Sequence, residues 1–354
     1  LWPTPMARLS KAFDGRPECV QCGTCSHGCM TQAKSSVDVT YIKKAEATGR
    51  VVVRPESVVT RIKTDSKGNA KSVVYVDKDG VEHEQEADVI IVSGGAVQSP
   101  RLLLNSTSKL FPDGLANRNG LVGRYFTQHL PVHSAAVFSE RIDSFRGFYG
   151  GATSQDYADS SSKNDFVRGW CHELHAGLDT PMQVAMHAPT WGHAFKDYMR
   201  ASFGYGAGIT LVGEQIPDRR NRVDVDPDAK DPFGMPVPRI TFEPGENDQS
   251  MLRAMERHAR ELYDAAGAQK VLYTRYRAGT ASHIGGSCRM GNDSQSSVLN
   301  PFCQTHDVPN LFVIDASCFV SMGTANPSLT IQALATRASE YIVRQGKQRK
   351  LWHA

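Results

Sequence analysis

The chain has 354 residues, long enough for a large core and for two domains, because single cores seldom grow past about 250–300 residues. Its 40 basic and 37 acidic side chains are interspersed, giving a formal charge of +3 and no polyelectrolyte patch, which argues against nucleic acid as a partner. No stretch reaches the roughly 20 apolar residues of a membrane helix, and the sequence opens at Leu1 without a signal-like segment, so periplasmic and cytoplasmic locations both stay open.

Four of the eight cysteines fall close together near the start: Cys19, Cys22, Cys25 and Cys29. Their C-x2-C-x2-C-x3-C spacing is that of a ferredoxin-type iron–sulfur run, with Met30 where proline often follows. Disulfides, free packed thiols and zinc are the alternatives. Residues 51–54 and 57–63 then read as β-branched strands, and 71–77 with 81–86 flank Asp79-Gly80, the turn pair of a hairpin. The Val/Ile run at 87–92 predicts a strand covered on both faces; it ends at Gly94-Gly95, and Ser99-Pro100 predicts a helix start.

From about residue 131 to 280 the pattern changes to separated strands, among them 209–215, 222–225 and 237–242, as expected of an antiparallel sheet. One helix interrupts it, with Met251, Leu252, Met255, Ala259, Leu262 and Tyr263 at helical spacing and Gly267 as its stop. The last segment returns to the pattern seen before residue 131. A short apolar strand at 311–314 is followed by a helix begun by Asn326-Pro327, whose Ile331, Leu334, Ala335, Ala338 and Tyr341 share a face. The reading is an α/β (α+β) chain in which 1–130 and 281–354 form one domain and 131–280 a second, inserted one.

Two stretches carry chemistry. Ser282-His283-Ile284-Gly285-Gly286-Ser287-Cys288-Arg289-Met290-Gly291 sets an imidazole, suited to proton transfer near neutral pH, before a Gly-rich bend that admits close backbone or cofactor approach. The second is Asn310-Leu311-Phe312-Val313-Ile314-Asp315-Ala316-Ser317 with Thr324-Ala325-Asn326-Pro327-Ser328-Leu329-Thr330. Together they resemble the C-terminal signature of the glucose–methanol–choline (GMC) oxidoreductases, and Gly94-Gly95-Ala96-Val97-Gln98-Ser99-Pro100-Arg101-Leu102-Leu103 resembles the first half of that family's second signature. Asp14-Gly15-Arg16-Pro17, Ala33-Lys34-Ser35, Gly120 to Arg124 and His129 are similar to a bacterial branch of gluconate, sorbitol and glucose dehydrogenases. Two departures stand out: Asn105-Ser106-Thr107-Ser108 at the end of the second signature, and Gly286-Ser287 where Gly-Thr is common.

The resemblance implies the C-terminal part of an FAD-binding domain with an inserted antiparallel-sheet substrate domain. It implies oxidation of a primary or secondary alcohol of a sugar, polyol or sugar acid, with His283 taking the hydroxyl proton, Asn326 holding the alcohol oxygen and hydride passing to the flavin. The implied FAD contacts are Val59, the Gly94-Gly95-Ala96 turn, the Asp315-Ala316 turn, and Asn326, Pro327, Ser328 and Thr330 at a helix N-terminus that favours negative charge. Some members of the branch carry an iron–sulfur cluster on a cysteine loop at the place of Cys19 to Cys29. No Gly-x-Gly-x-x-Gly turn occurs, so an upstream segment of roughly 200 residues, in cis or as a partner chain, is expected to complete the FAD site and to cover an apolar sheet edge. The competing readings are an inactive C-terminal fragment or subunit of a split enzyme, and an iron–sulfur electron-transfer subunit. Cys171-His172 with His175, and Cys303 with His306, have partial metal-ligand spacing without a second pair and read as structural.

Overall fold

The computed structural model describes residues 1–147, 150–175, 181–186, 188–348 and 351. The chain folds as two compact units: Leu1–Val53, Leu130–Gly213 and Gln249–Thr280 form the first, and Arg54–His129, Glu214–Asp248 and Ala281–Ala354 the second. The divisions near 130 and 280 fall where the sequence changes character, whereas 1–53 and 214–248 group differently from the sequence-based division.

An antiparallel sheet organises the first unit, in the order Trp2–Pro3, Ala152–Tyr157, Trp170–His175, Gly206–Glu214, Thr127–Val137, Lys270–Tyr276; residues 127–129 of the fifth strand belong to the second unit. The Glu246–Ala265 helix presents Met251, Met255, Ala259 and Tyr263, spaced four apart and all buried, as one continuous stripe. Its methionines lie over Gly213, where an added Cβ would come within 2.9 Å of the Met251 side chain, so a small residue in the strand sets how closely the helix seats. The Tyr263 hydroxyl satisfies itself on the Ser134 carbonyl at 3.0 Å. Residues 51–54, expected as a strand, are not one: Val51, Val52 and Val53 are exposed. β-branched residues favour strands only where a pleated neighbour packs them, and no strand pairs with this stretch among the described residues.

The second unit holds a three-stranded meander, Val58–Thr64, Ala70–Val76 and Glu82–Glu86, whose Asp79-Gly80 turn is as expected, with Asp77 Oδ1 accepting the Asp79 and Val81 N–H groups. Beside it lies a parallel pair, Ile90–Val92 with Leu311–Val313, and the Gly95–Asn105 and Ser328–Lys347 helices. Leu103, Phe111, Leu115, Leu299, Leu311 and Phe312 make the dry centre of its core. Asn310 staples strands together: its amide donates to Ala70 O and Asp88 O and accepts the Ala70 N–H.

Two expectations need correction. The helix expected at Ser99-Pro100 begins at Gly95 and carries Pro100 inside it. Proline removes the bond that would have reached the carbonyl four residues back, Ala96 O, and the Ser287 hydroxyl donates to that carbonyl instead, at 2.6 Å. The strands expected at 222–225 and 237–242 are not in the large sheet; Arg222–Lys230 and Pro236–Thr241 form a separate hairpin of the second unit. Nearly buried Arg101 binds this hairpin to the Gly95–Asn105 helix, donating to Asp231 Oδ2 at 2.7 Å and to Pro236 O at 2.8 Å.

Candidate active site

Within the second unit the three signature stretches are stitched together. Asp315, at the end of Leu311–Val313, accepts the Gly95 N–H (2.9 Å) and the Ser99 hydroxyl (2.5 Å) on Oδ2, and the Ser317 N–H (2.7 Å) on Oδ1. Ser99 Oγ in turn accepts the Gly94 N–H at 2.9 Å. A carboxylate at a helix N-terminus is favourable in itself. Here it also fixes the Gly94-Gly95-Ala96 turn against the Asp315-Ala316 turn. The N–H groups of Gly94 and Gly95 are thereby used within the protein, so this turn would meet a cofactor through its small backbone surface and not as an anion donor. Ser99 and Ser287, read in the sequence only as a helix start and as a departure from Gly-Thr, turn out to be the side chains that close the arrangement. Either a serine or a threonine hydroxyl can make the Ser287 bond.

The His283 turn runs beside the same segment. Gly286 N–H donates to Ala316 O (3.1 Å), Cys288 N–H to Ser317 O (2.8 Å) and Met290 N–H to Cys318 O (2.9 Å). Gly286 has φ +84°, and a Cβ there would overlap the Tyr125 carbonyl; one on Gly285 would overlap the Met322 sulfur. Only glycine permits so tight a bend. Ile284 and Gly285 pair with Gln128 and Thr127, which brings His129 to His283: the backbone N–H of His129 donates to His283 O at 3.0 Å, and the two Nδ1 atoms are 3.0 Å apart with the rings edge to face. Burial depresses the pKa of His283 below the ordinary imidazole value. His129, buried deeper, is pushed down to about 4 by burial and then by the charge on His283, against the backbone of Met322 and Gly323, which favours the protonated ring. Both rings are therefore neutral at pH 7. His283 Nε2 makes no hydrogen bond among the described residues.

Asn326 lies three residues beyond Gly323, exposed and without a hydrogen bond among the described residues. Among the described residues no hydrogen bond joins it to His283. It is not the N-cap: the helix runs Ser328–Lys347, Pro327 caps it without a side-chain bond, and Ser328, Leu329 and Thr330 are exposed on its first turn. Proline at the cap leaves no hydroxyl or amide there to serve the first N–H groups. Val59 sits elsewhere, lining a cavity of about 530 Å³ with Val58, Ile91, Gly94, Gln98 and Phe233. That volume is in the range of roughly 300–1,000 Å³ usual for small-molecule sites. The outer edge of Ile90–Val92 borders the cavity, and among the described residues no strand or bridge pairs with that edge; Ile91 is half exposed.

The four clustered cysteines are exposed or half-buried. All eight cysteines are free thiols, and among the described residues no three metal-ligating side chains stand close enough to hold an ion. Three of the four clustered thiols are occupied locally: Cys19 Sγ with the Gln21 N–H, Cys22 with Thr24 Oγ1 at 3.1 Å, Cys29 with the Lys34 N–H at 3.3 Å. These bonds hold the Cys22 thiol (Thr24 hydroxyl) and the Cys29 thiol (Lys34 N–H) below their ordinary pKa. No chemistry is assigned here through an iron–sulfur or zinc site.

The chain is 35% identical over 357 residues to 2-methyl-1,2-propanediol dehydrogenase of Mycolicibacterium austroafricanum, covering 97% of this chain and 63% of that protein. It is 27% identical over 352 residues to the fructose dehydrogenase large subunit of Gluconobacter japonicus, covering 98% and 63%. The chain therefore spans less than two thirds of the length of these relatives. Among solved structures, a formate oxidase of Aspergillus oryzae RIB40 superposes with a TM-score of 0.60 at 15% identity, over 85% of this chain and 62% of that one, which reports the shared fold. The N-terminal and C-terminal sequence profiles described as GMC oxidoreductase match residues 9–131 and 217–335, and the chain belongs to the GMC oxidoreductase family.

Proposed function

We propose that this chain carries the proton-transfer half of an FAD-dependent oxidoreductase that oxidises a primary or secondary alcohol of a small polyol, sugar or sugar acid. The observation that carries the reading is the junction around Asp315, where hydrogen bonds tie the Gly94-Gly95 turn to the segment along which the His283 turn runs. Residues far apart in sequence converge there on one neutral imidazole with an unengaged nitrogen.

The residues suit FAD in two places. The cavity beside Val59 and Gly94, mainly apolar but with Gln98, Arg101 and Asp231 in its lining, is a slot for the adenosine end. The exposed first turn of Ser328–Lys347, with Asn326, Pro327, Ser328 and Thr330, offers a positive helix end to the flavin end, and the Asp315-Ala316 turn lies between motifs as the rigid support. When bound, the flavin supplies the acceptor for the hydride that leaves the alcohol carbon. His283 Nε2 accepts the hydroxyl proton as the oxygen gathers charge, and the Asn326 amide donates to that oxygen. An electron acceptor outside the chain completes turnover. The open edge of Ile90–Val92 is where an upstream segment or partner chain would add its strand and supply the pyrophosphate donors that Gly94 and Gly95 do not.

Titration with FAD tests the reading. The 354 residues alone should bind weakly, and the chain supplemented with a segment, in cis or as a partner chain, that supplies the missing strand and Gly-rich turn should bind tightly and bleach on addition of alcohol. Tight binding with alcohol-dependent bleaching by the 354 residues alone would refute the need for completion. No bleaching by any polyol or sugar in the completed protein would refute the activity.

A further inference from the structure

His129 is almost fully buried, its backbone is tied to His283 O, and its ring meets the His283 ring through two Nδ1 atoms 3.0 Å apart. At that separation one nitrogen donates and the other accepts, so one of the two rings carries its proton on Nδ1 and the other does not. Among the described residues His283 Nε2 makes no hydrogen bond, and His129 Nε2 is buried without a partner. As the base, a neutral His283 needs its lone pair on that unengaged Nε2, so its proton sits on Nδ1 and donates to His129 Nδ1, and His129 carries its own proton on Nε2.

We propose that His129 is a positioning residue that locks His283 in the Nδ1–H tautomer and so makes its Nε2 the basic nitrogen. The proposal rests on the reading of His283 as the base. In the step itself the alcohol O–H breaks and its proton forms a bond to His283 Nε2. The resulting imidazolium keeps its Nδ1–H, whose bond to His129 becomes charge-assisted and stronger. Burial holds His129 neutral through this change, so the proton stays on His283 and is not handed inward. The arrangement resembles in logic any base oriented through its second nitrogen, except that the orienting group is an uncharged imidazole and adds no negative charge to the site.

Long-range nitrogen–proton NMR spectra of histidine-labelled protein carrying this chain, near pH 7.5 and with FAD present, read the tautomers directly. The expected result is His283 protonated on Nδ1 and bare on Nε2, with His129 the reverse; His283 protonated on Nε2 would overturn the proposal. Kinetics give a second arm. His129→Leu removes the acceptor and should lower kcat by about 10²-fold or more with little change in KM, and move the acid limb of kcat/KM to lower pH. His129→Asn, which returns an acceptor oxygen near the Nδ1 position, should recover a large part of the loss. Equal loss in both variants with an unmoved pH profile would assign His129 a packing role only. Should His283→Ala retain full turnover, the base reading fails while the tautomer spectra still stand or fall separately.

Discussion

In the second unit His129 and His283 meet through Nδ1 atoms 3.0 Å apart; in the first, His172 and His258 meet through Nε2 atoms, also 3.0 Å apart. The surroundings separate them. His172 Nε2 also accepts the Trp170 indole N–H at 3.4 Å, and Tyr157 stacks on Trp170 and lies 4.5 Å, centroid to centroid, from His258. An indole can only donate, so His172 Nε2 is an acceptor and His258 must donate to it. Both facing nitrogens are consumed inside an aromatic cage that joins the Glu246–Ala265 helix to the sheet. His283 instead keeps Nε2 unengaged, on a half-buried ring beside a Gly-rich turn. A close imidazole pair is thus not a sign of chemistry by itself: His172 also has an unpartnered nitrogen, Nδ1, but it is sealed from solvent, whereas the unpartnered Nε2 of His283 is not.

Acidification should affect both pairs, and it is the largest effect expected on stability. His129 and His172 are each pushed to about 4, by burial first and then by their partner histidines, while an unfolded histidine titrates near 6.5. A depressed folded pKa stabilises above the unfolded value and loses that contribution as pH falls through the folded one. Stability should therefore be full above pH 6.5 and fall between there and about 4, by on the order of 3 kcal/mol from His129 alone. Asp248 opposes this, because burial raises its carboxyl and protonation relieves it. Denaturant midpoints measured across that window check the slope, and His172→Phe should flatten it. A midpoint unchanged from pH 7 to 4 would mean that neither ring is held neutral.

The smallest expected effect concerns Asn326. Since Pro327 is the cap and Asn326 makes no bond to the helix, Asn326→Ala should leave stability within about 0.5 kcal/mol of the parent while slowing alcohol oxidation. A loss of about 1 kcal/mol, the usual cost of a missing side-chain cap, would restore the capping role that the sequence suggested.

Local patterns made much of the fold legible in the sequence: the Asp79-Gly80 hairpin, the stripe from Met251 to Tyr263, the strand at 311–314 and the glycines after His283. What escaped depends on contacts between distant segments. Pro100 looks like a helix start because nothing nearby in sequence says that Ser287 will take the carbonyl it frees. The hairpin of Arg222–Lys230 with Pro236–Thr241 looks like part of the large sheet because its anchor, Arg101, is 130 residues from Asp231. The 51–54 valines carry strand propensity, but propensity does not supply a neighbour to pair with. His129 is visible in the sequence only as a point of likeness; its partnership with His283 needs the register of Ile284–Gly285 on the Thr127–Val137 strand.

The most direct measurement compares one member of each pair. In the FAD-loaded protein, His283→Ala should cut turnover by roughly 10² to 10⁴-fold with the flavin still bound and stability little changed. His258→Ala should lower stability by about 1–3 kcal/mol through the opened cage and the unmade hydrogen bond, with turnover per flavin-loaded molecule near the parent. Parental turnover in His283→Ala, or an equal loss in both variants, would contradict the assignment of the chemistry to the His129–His283 pair.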